Sequence, residues 1–199
     1  MCCEAAARLI LNRKEKMKLV KTHRDCEEAE NDEENIFFNL RQKAFDIVQN
    51  REITVDERIE HLIREFDLNI PRSDFCEWTE YYLELEILEP QWKDLLESSR
   101  GLTPCPAPFF DEEKWQIAFE QLIVYFIFRH MAEGFFESNI DSRLVFAIHS
   151  FEMIKNLCSL RKDASVENLT EIARMYSAEI EYSEENTEDL IFELETGAM

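Results

Sequence analysis

From Ile36 the chain spaces Phe37, Leu40, Ala44, Ile47 and Val48 so that a helix would carry them on one apolar face. Thr54 precedes Glu57 by three residues, the pattern of a capping box, and Val55, Ile59, Leu62, Ile63 and Phe66 form the apolar stripe behind it. Pro71 interrupts that pattern. Ser73 or Asp74 then caps a third helix bearing Phe75, Trp78, Tyr82, Leu85 and Leu88 as far as Pro90, and a short helical piece over 91–97 follows. Over 98–110, Gly101, Pro104, Pro106 and Pro108 favour an extended connector, because each proline fixes φ and lacks a backbone donor.

Asp111 offers an N-cap to a helix over 112–131, whose centre, Leu122 to Phe128, is apolar on every side and so predicts a central place in a bundle. Gly134 suits its stop. The next helix carries Leu144, Ala147, Ile148, Phe151, Ile154 and Cys158, and another after Ser165 carries Val166, Leu169, Ile172, Ala173, Tyr176 and Ile180. Ser183 opens a last short helix through Leu190, Ile191 and Leu194. The sum is an all-α fold, a multi-helix orthogonal or bundle-like domain of about seven to eight helices in two halves. An N-terminal segment and charged linker occupies 1–34, the first helical half 35–97, the Pro-rich connector 98–110, and the second half with a short tail 111–199. Within the first segment a basic stretch, Arg8 to Arg24, runs into an acidic one, Glu27 to Glu34, either a solvated connector or a partner-binding arm.

Composition narrows the function. Hydrophobic residues make up 45% of the chain, enough for a sizeable core. Its three glycines are too few for phosphate-cradling loops or a doubly wound nucleotide fold. With 22 basic and 43 acidic residues the net charge is −21, which opposes contact with phosphate backbones and argues against nucleic-acid binding. The same acidity is either a solvated surface or an attraction for a basic, lysine-bearing protein. The six cysteines are scattered, with no C-x-x-C pair and no signal peptide, so reduced thiols and a cytoplasmic location are expected. The apolar run 122–128 is far shorter than the roughly twenty residues of a membrane span, so no membrane association is expected. Oligomeric state leaves no trace in the sequence.

Few residues offer chemistry by pattern alone. No two glycines lie close enough for a nucleotide fingerprint, and there is no HExxH motif. Cys76, Cys105 and Cys158 read as small apolar residues in or near the core. His130 with Glu133, and His61 with Glu57, share helix faces; each reads first as a surface hydrogen bond and second as a metal or proton-transfer pair. His149 and His23 have no evident partner. Phe75, Trp78, Tyr81 and Tyr82 are core or, less simply, a groove lining.

The segments FEQLIVYFIFRHMAEGFFESNIDSRLVFAIHSFEMIKNL and LTEIARMYSAEIEYSEENTEDL carry more. A long apolar helix, an acidic turn, Ser142-Arg143 opening a second apolar helix, and an I-A-R-x-Y-S segment before S-E-E-N occur in order. Together they resemble the C-terminal helical region of the flagellin lysine-N-methylase family. Weaker likeness extends to CCEAAARLIL and REITVDERIEHL. The resemblance implies methyl transfer from S-adenosylmethionine to lysines of a flagellin-like protein, and an iron–sulfur cluster held by a cysteine-rich segment. That segment is missing from this pattern; Cys2 and Cys3 supply at most one residual cluster ligand. Tyr182 stands where the family's pattern has histidine. The matching positions are Arg143, Arg174, Tyr176, Ser177, Glu181, Ser183, Glu184 and Asn186. Among them the resemblance points to Glu181, Tyr176 and Arg174 for catalysis and Arg143 for cofactor binding, against a structural role in capping and helix-to-helix hydrogen bonds.

Two functions remain open at this stage. One is a lysine-N-methylase-like protein whose helices support methyl transfer, with Glu181 or Tyr176 positioning the amine. The other is a non-catalytic, acidic helical module that binds a basic partner.

Overall fold

The computed structural model describes residues 23–71, 74–137, 139–161, 163 and 165–197. Among them stand eight helices and no strand. Helix α1, His23–Val48, starts well before Ile36: the acidic stretch placed in a linker forms its opening turns. No glycine or proline interrupts 23–48, and acidic residues near a helix N-terminus oppose its dipole favourably. Helix α2, Val55–Glu65, has the expected capping box: Thr54 Oγ1 accepts from the Glu57 amide at 3.3 Å, and Glu57 Oε2 accepts from the Thr54 amide at 2.8 Å. Asp74 and Glu77 form a second box at the head of α3, Phe75–Glu84.

Helix α3 ends one turn sooner than its apolar spacing implies. Residues 85–89 run extended because groups near the C-terminus take up their backbone. The carboxylate of Glu179 accepts from the amides of Leu88, at 2.8 Å, and Glu89. Asn186 brackets Glu86, donating to its carbonyl at 2.8 Å and accepting from its amide at 3.2 Å. Pro90 then opens α4, Pro90–Ser99, in the position where its missing N–H costs nothing.

After a 3₁₀ turn at Pro108–Asp111 come α5, Glu113–Glu137, and α6, Ile140–Arg161, which pack against each other along their length. Gly134 does not stop α5 but lies inside it. A Cβ there would sit 2.9 Å from the Ile140 Cα and 3.0 Å from the Arg143 Cγ, so glycine is what lets α6 turn back so closely. Helices α1 and α2 cover α5; α7, Val166–Tyr176, and α8, Glu184–Thr196, cover α6; α4 rests on α7. Ser165 and Ser183 cap α7 and α8 as expected.

One apolar core spans the connector, joining Trp92, Leu95 and Leu96 before it to Trp115 and Phe119 after it, with Phe110 at its end. The central helix is α6, not α5. Leu144, Val145, Phe146, Ala147, Ile148, Phe151, Met153, Ile154 and Leu157 are all buried, so α6 is enclosed over most of its surface, with a half-exposed stripe through Ser142, His149, Glu152 and Asn156. The apolar run of α5 keeps Tyr125 and Phe128 exposed. The turn between α1 and α2 is pinned to α5 by Glu120, whose buried carboxylate accepts from Arg58 at 2.8 Å and from Arg51 at 2.7 and 2.9 Å. Those guanidinium bonds, Arg51's first, outweigh burial and hold Glu120 below the usual carboxylate range.

Gly134→Ala gains about 1 kcal/mol of helix propensity but must displace the backbone at Ile140. Urea denaturation should show a net loss of about 1–3 kcal/mol. Unchanged or raised stability would mean the α5–α6 turn is looser than described.

Candidate functional site

Polar groups on the buried faces of a helix must be satisfied internally. On α6 these include Ser150, whose Oγ donates to the Phe146 carbonyl at 2.8 Å. Tyr176 from α7 donates to Ser150 Oγ at 2.8 Å, Tyr82 from α3 lies 2.9 Å from the Tyr176 hydroxyl, and His149 Nε2 lies 3.1 Å from the Tyr82 hydroxyl. The direction of this chain follows from counting protons. The Phe146 carbonyl only accepts, so the proton of Ser150 goes there and that of Tyr176 goes to Ser150. The contact between the tyrosines then needs the proton of Tyr82, and the remaining contact needs a proton on His149 Nε2. His149 is therefore the Nε2–H tautomer, and its Nδ1 carries the lone pair.

The surroundings keep that imidazole neutral. Its ring lies 4.1 Å from the Trp78 ring and is stacked on Tyr82, and burial lowers its pKa to about 3. Burial likewise pushes the Tyr82 and Tyr176 phenols up, so both stay protonated. His149 also lines a cavity of about 160 Å³ between α3 and α6, with Phe75, Trp78, Met153, Glu152 and Asn156 among its walls.

A second polar cluster sits at the end of α7. The regular helix expected through Ile180 gives way at Ser177–Glu181 to a π-helical turn, closed by a bond from the Tyr182 amide to the Ser177 carbonyl at 3.0 Å. Such wide turns re-aim side chains and recur at functional sites. Here the turn sends Glu181 to α5. His130 Nε2 lies 2.9 Å from Glu181 Oε1, the Tyr125 hydroxyl donates at 3.1 Å, and Ser177 Oγ donates to Oε2. Arg129 Nε is 3.1 Å away, near enough to pair charges though not aligned for a hydrogen bond. Burial alone would raise the Glu181 pKa, but the bonds from His130 and Ser177 and the Arg129 charge outweigh it, so the carboxylate stays ionised. Tyr182 is exposed, with the Arg129 guanidinium over its ring at 5.5 Å.

The residues singled out by resemblance therefore point different ways. Tyr176 faces the interior chain and Glu181 faces α5. Arg174 lies at the surface, donating to Glu89 at 3.2 Å and to Glu171 at 3.0 Å. Arg143 is buried in the first turn of α6, packed over Gly134. Ser183 and Asn186 cap a helix and hold Glu86. Cys2 and Cys3 lie outside the described residues, as does the side chain of Glu133. Cys158 is buried as expected, but Cys105 is exposed and Cys76 half-buried, its thiol directed to the Leu102 carbonyl. Glu57, paired with His61 by spacing, is spent on its helix cap.

Sequence reasoning missed both histidines. His130 was read with a neighbour on its own helix, whereas it is buried against Glu181, 51 residues away. His149 had no visible partner, although Ser150 beside it, set between apolar Ile148 and Phe151, is the signal that polar groups must meet there.

Neither cavity nor cluster described above offers a place for the cofactors implied by resemblance. Among the described residues no three His, Cys, Asp or Glu side chains converge to hold a metal ion. The 160 Å³ cavity is small for S-adenosylmethionine, since sites for ligands of that size run to about 300–1,000 Å³. A larger cavity, of about 330 Å³, has no aromatic wall for an adenine, and its cations Arg51 and Arg58 are both committed to Glu120. Neither fits the methyl donor. Among the described residues no helix is long and apolar enough to cross a membrane.

Comparison with known proteins gives one match: the family model of the FliB lysine N-methylase C-terminal domain covers residues 77–198. No curated protein and no solved structure matches.

His149 gives the polar chain a pH signature. Its folded pKa is lowered, so below the ordinary imidazole value of about 6.5 the unfolded chain takes up a proton that the folded chain refuses. This contribution is complete above that value and falls as pH drops towards about 3. Glu181, with a lowered pKa, loses its own contribution only in more acid solution, while Glu152, raised by burial, acts in the opposite sense. Both are common to the wild type and His149→Gln, so the difference in slope isolates the imidazole. Between pH 7 and 5 the wild type should lose on the order of 1–2 kcal/mol more than the variant in urea denaturation. Parallel curves would show that His149 is not held neutral.

Proposed function

We propose a function from one premise: the chain belongs to the family of the FliB lysine N-methylase C-terminal domain. It acts in methyl transfer to the side-chain nitrogen of lysine in a flagellin-type protein, and S-adenosylmethionine is the methyl source implied by that family. The observation that carries this reading is where the match falls. Residues 77–198 contain Trp78, Tyr82, His149, Ser150, Tyr176 and Glu181, hence both polar networks. The Arg51–Arg58–Glu120 cluster, which fastens the fold, lies outside the match in its two arginines.

In this reading the helices serve the lysine rather than the donor. A lysine nitrogen attacks a methyl group only as the neutral amine, and its ordinary pKa of about 10.4 leaves it protonated near neutrality. Moving the amine out of water lowers that value, and acceptors on a rigid frame fix the direction of its lone pair. The net charge of −21 attracts a lysine-bearing chain. Tyr176 and Glu181 act as positioning residues, one holding α3 to α6 and the other holding the π-helical turn to α5. Arg174 ties that same region to the 85–89 segment through Glu89.

Incubation of the chain together with the cysteine-rich segment implied by the family, S-adenosylmethionine and a lysine-rich flagellin-type protein, under anaerobic conditions, should produce methyl-lysine detectable by peptide mass spectrometry, and more of it than that segment produces without the chain. Lysines left unmodified in the complete mixture, or methylated equally without the chain, would contradict the reading.

A further inference from the structure

We propose that the cavity of about 160 Å³ between α3 and α6 receives the side chain of a lysine, with His149 Nδ1 accepting a hydrogen bond from its nitrogen. The proposal takes from the methylase reading only the identity of the molecule that bears the amine. The chemistry of the occupant comes from the walls. Ile70, Pro71, Phe75, Trp78, Ile148 and Met153 give the cavity apolar walls. A cavity of comparable size, about 150 Å³, admits a benzene-sized ligand, so a four-carbon stem fits.

The polar groups along the walls are mostly acceptors. Proton counting leaves Nδ1 of His149 as an acceptor with no partner among the described residues. Glu152, a carboxylate whose side chain is 37% exposed, marks the mouth, and Asn156 adds an amide. The nearby cation, Lys155, is turned to Asp56 and lies 3.8 Å from Glu152. An anion would meet Glu152, and a wholly apolar occupant would leave Nδ1 without a donor. A primary amine at the tip of an alkyl stem satisfies both the stem and the tip. Because His149 stays neutral, it neither repels an ammonium nor takes its proton; it orients the nitrogen.

Calorimetry with N-acetyl-lysine amide and n-butylamine, with N-acetyl-norleucine amide as the same stem lacking nitrogen, tests this directly. Both amines should bind, and the norleucine compound at least tenfold more weakly. His149→Phe keeps a stacked ring but removes Nδ1, and should weaken amine binding at least tenfold while leaving the norleucine compound unchanged. Glu152→Gln, at the exposed mouth, should weaken it severalfold and does not depend on how the interior tolerates phenylalanine. Equal affinity for lysine and norleucine compounds, or amine binding untouched by both variants, would overturn the proposal. Methyl transfer that proceeds unchanged in both variants would remove the pocket and leave the methylase reading standing. Amine binding in the pocket by a chain that transfers no methyl group would do the reverse.

Discussion

Burying most of α6 is the constraint from which the rest of the molecule follows. Ser150 lies on a fully buried face of α6 and cannot turn to solvent, so it must find partners in the protein, and its neighbour His149 joins the same chain. Tyr176 and Tyr82 come from two other helices to supply them, and in doing so they lock α7 and α3 onto the centre. The carbonyl of Phe146 at one end fixes the direction of every proton in the chain. At the other end this leaves an imidazole that is neutral, oriented and open at one nitrogen. Stability and chemical poise therefore arise from the same hydrogen bonds.

The C-terminal part adds a second fastening. Glu179 and Asn186 hold the extended segment between α3 and α4, and the π-helical turn swings Glu181 onto α5. Three buried or half-buried polar side chains within ten residues thus reach the α3–α4 segment and α5 as well as their own helices. An acidic stretch that looks like a solvated surface is, at these positions, internal framework. Exposed Glu184 and Glu185 in the same stretch remain ordinary first-turn acids.

What could be read in the sequence was local. Thr54, Ser165 and Ser183 announce helix starts because a cap depends on residues two or three places away. The likeness carried by the order of segments in the second half located the family, and the matched region agrees with it. Gly134 misled because a glycine that ends a helix and one that admits a neighbouring backbone look identical in sequence. The true end of α3 was invisible because the groups that claim its following backbone, Glu179 and Asn186, lie about a hundred residues on. Separations of 67 and 51 residues likewise hid the pairing of His149 with Tyr82 and of His130 with Glu181.

The central claim is that the buried chain of hydroxyls fixes His149 as a neutral imidazole with its proton on Nε2. Nitrogen-15 NMR of the histidine side chains reports that state directly. The account requires the Nε2-protonated tautomer for His149, unchanged from pH 8 to pH 5. A proton found on Nδ1, or a ring that titrates within that range, would contradict it.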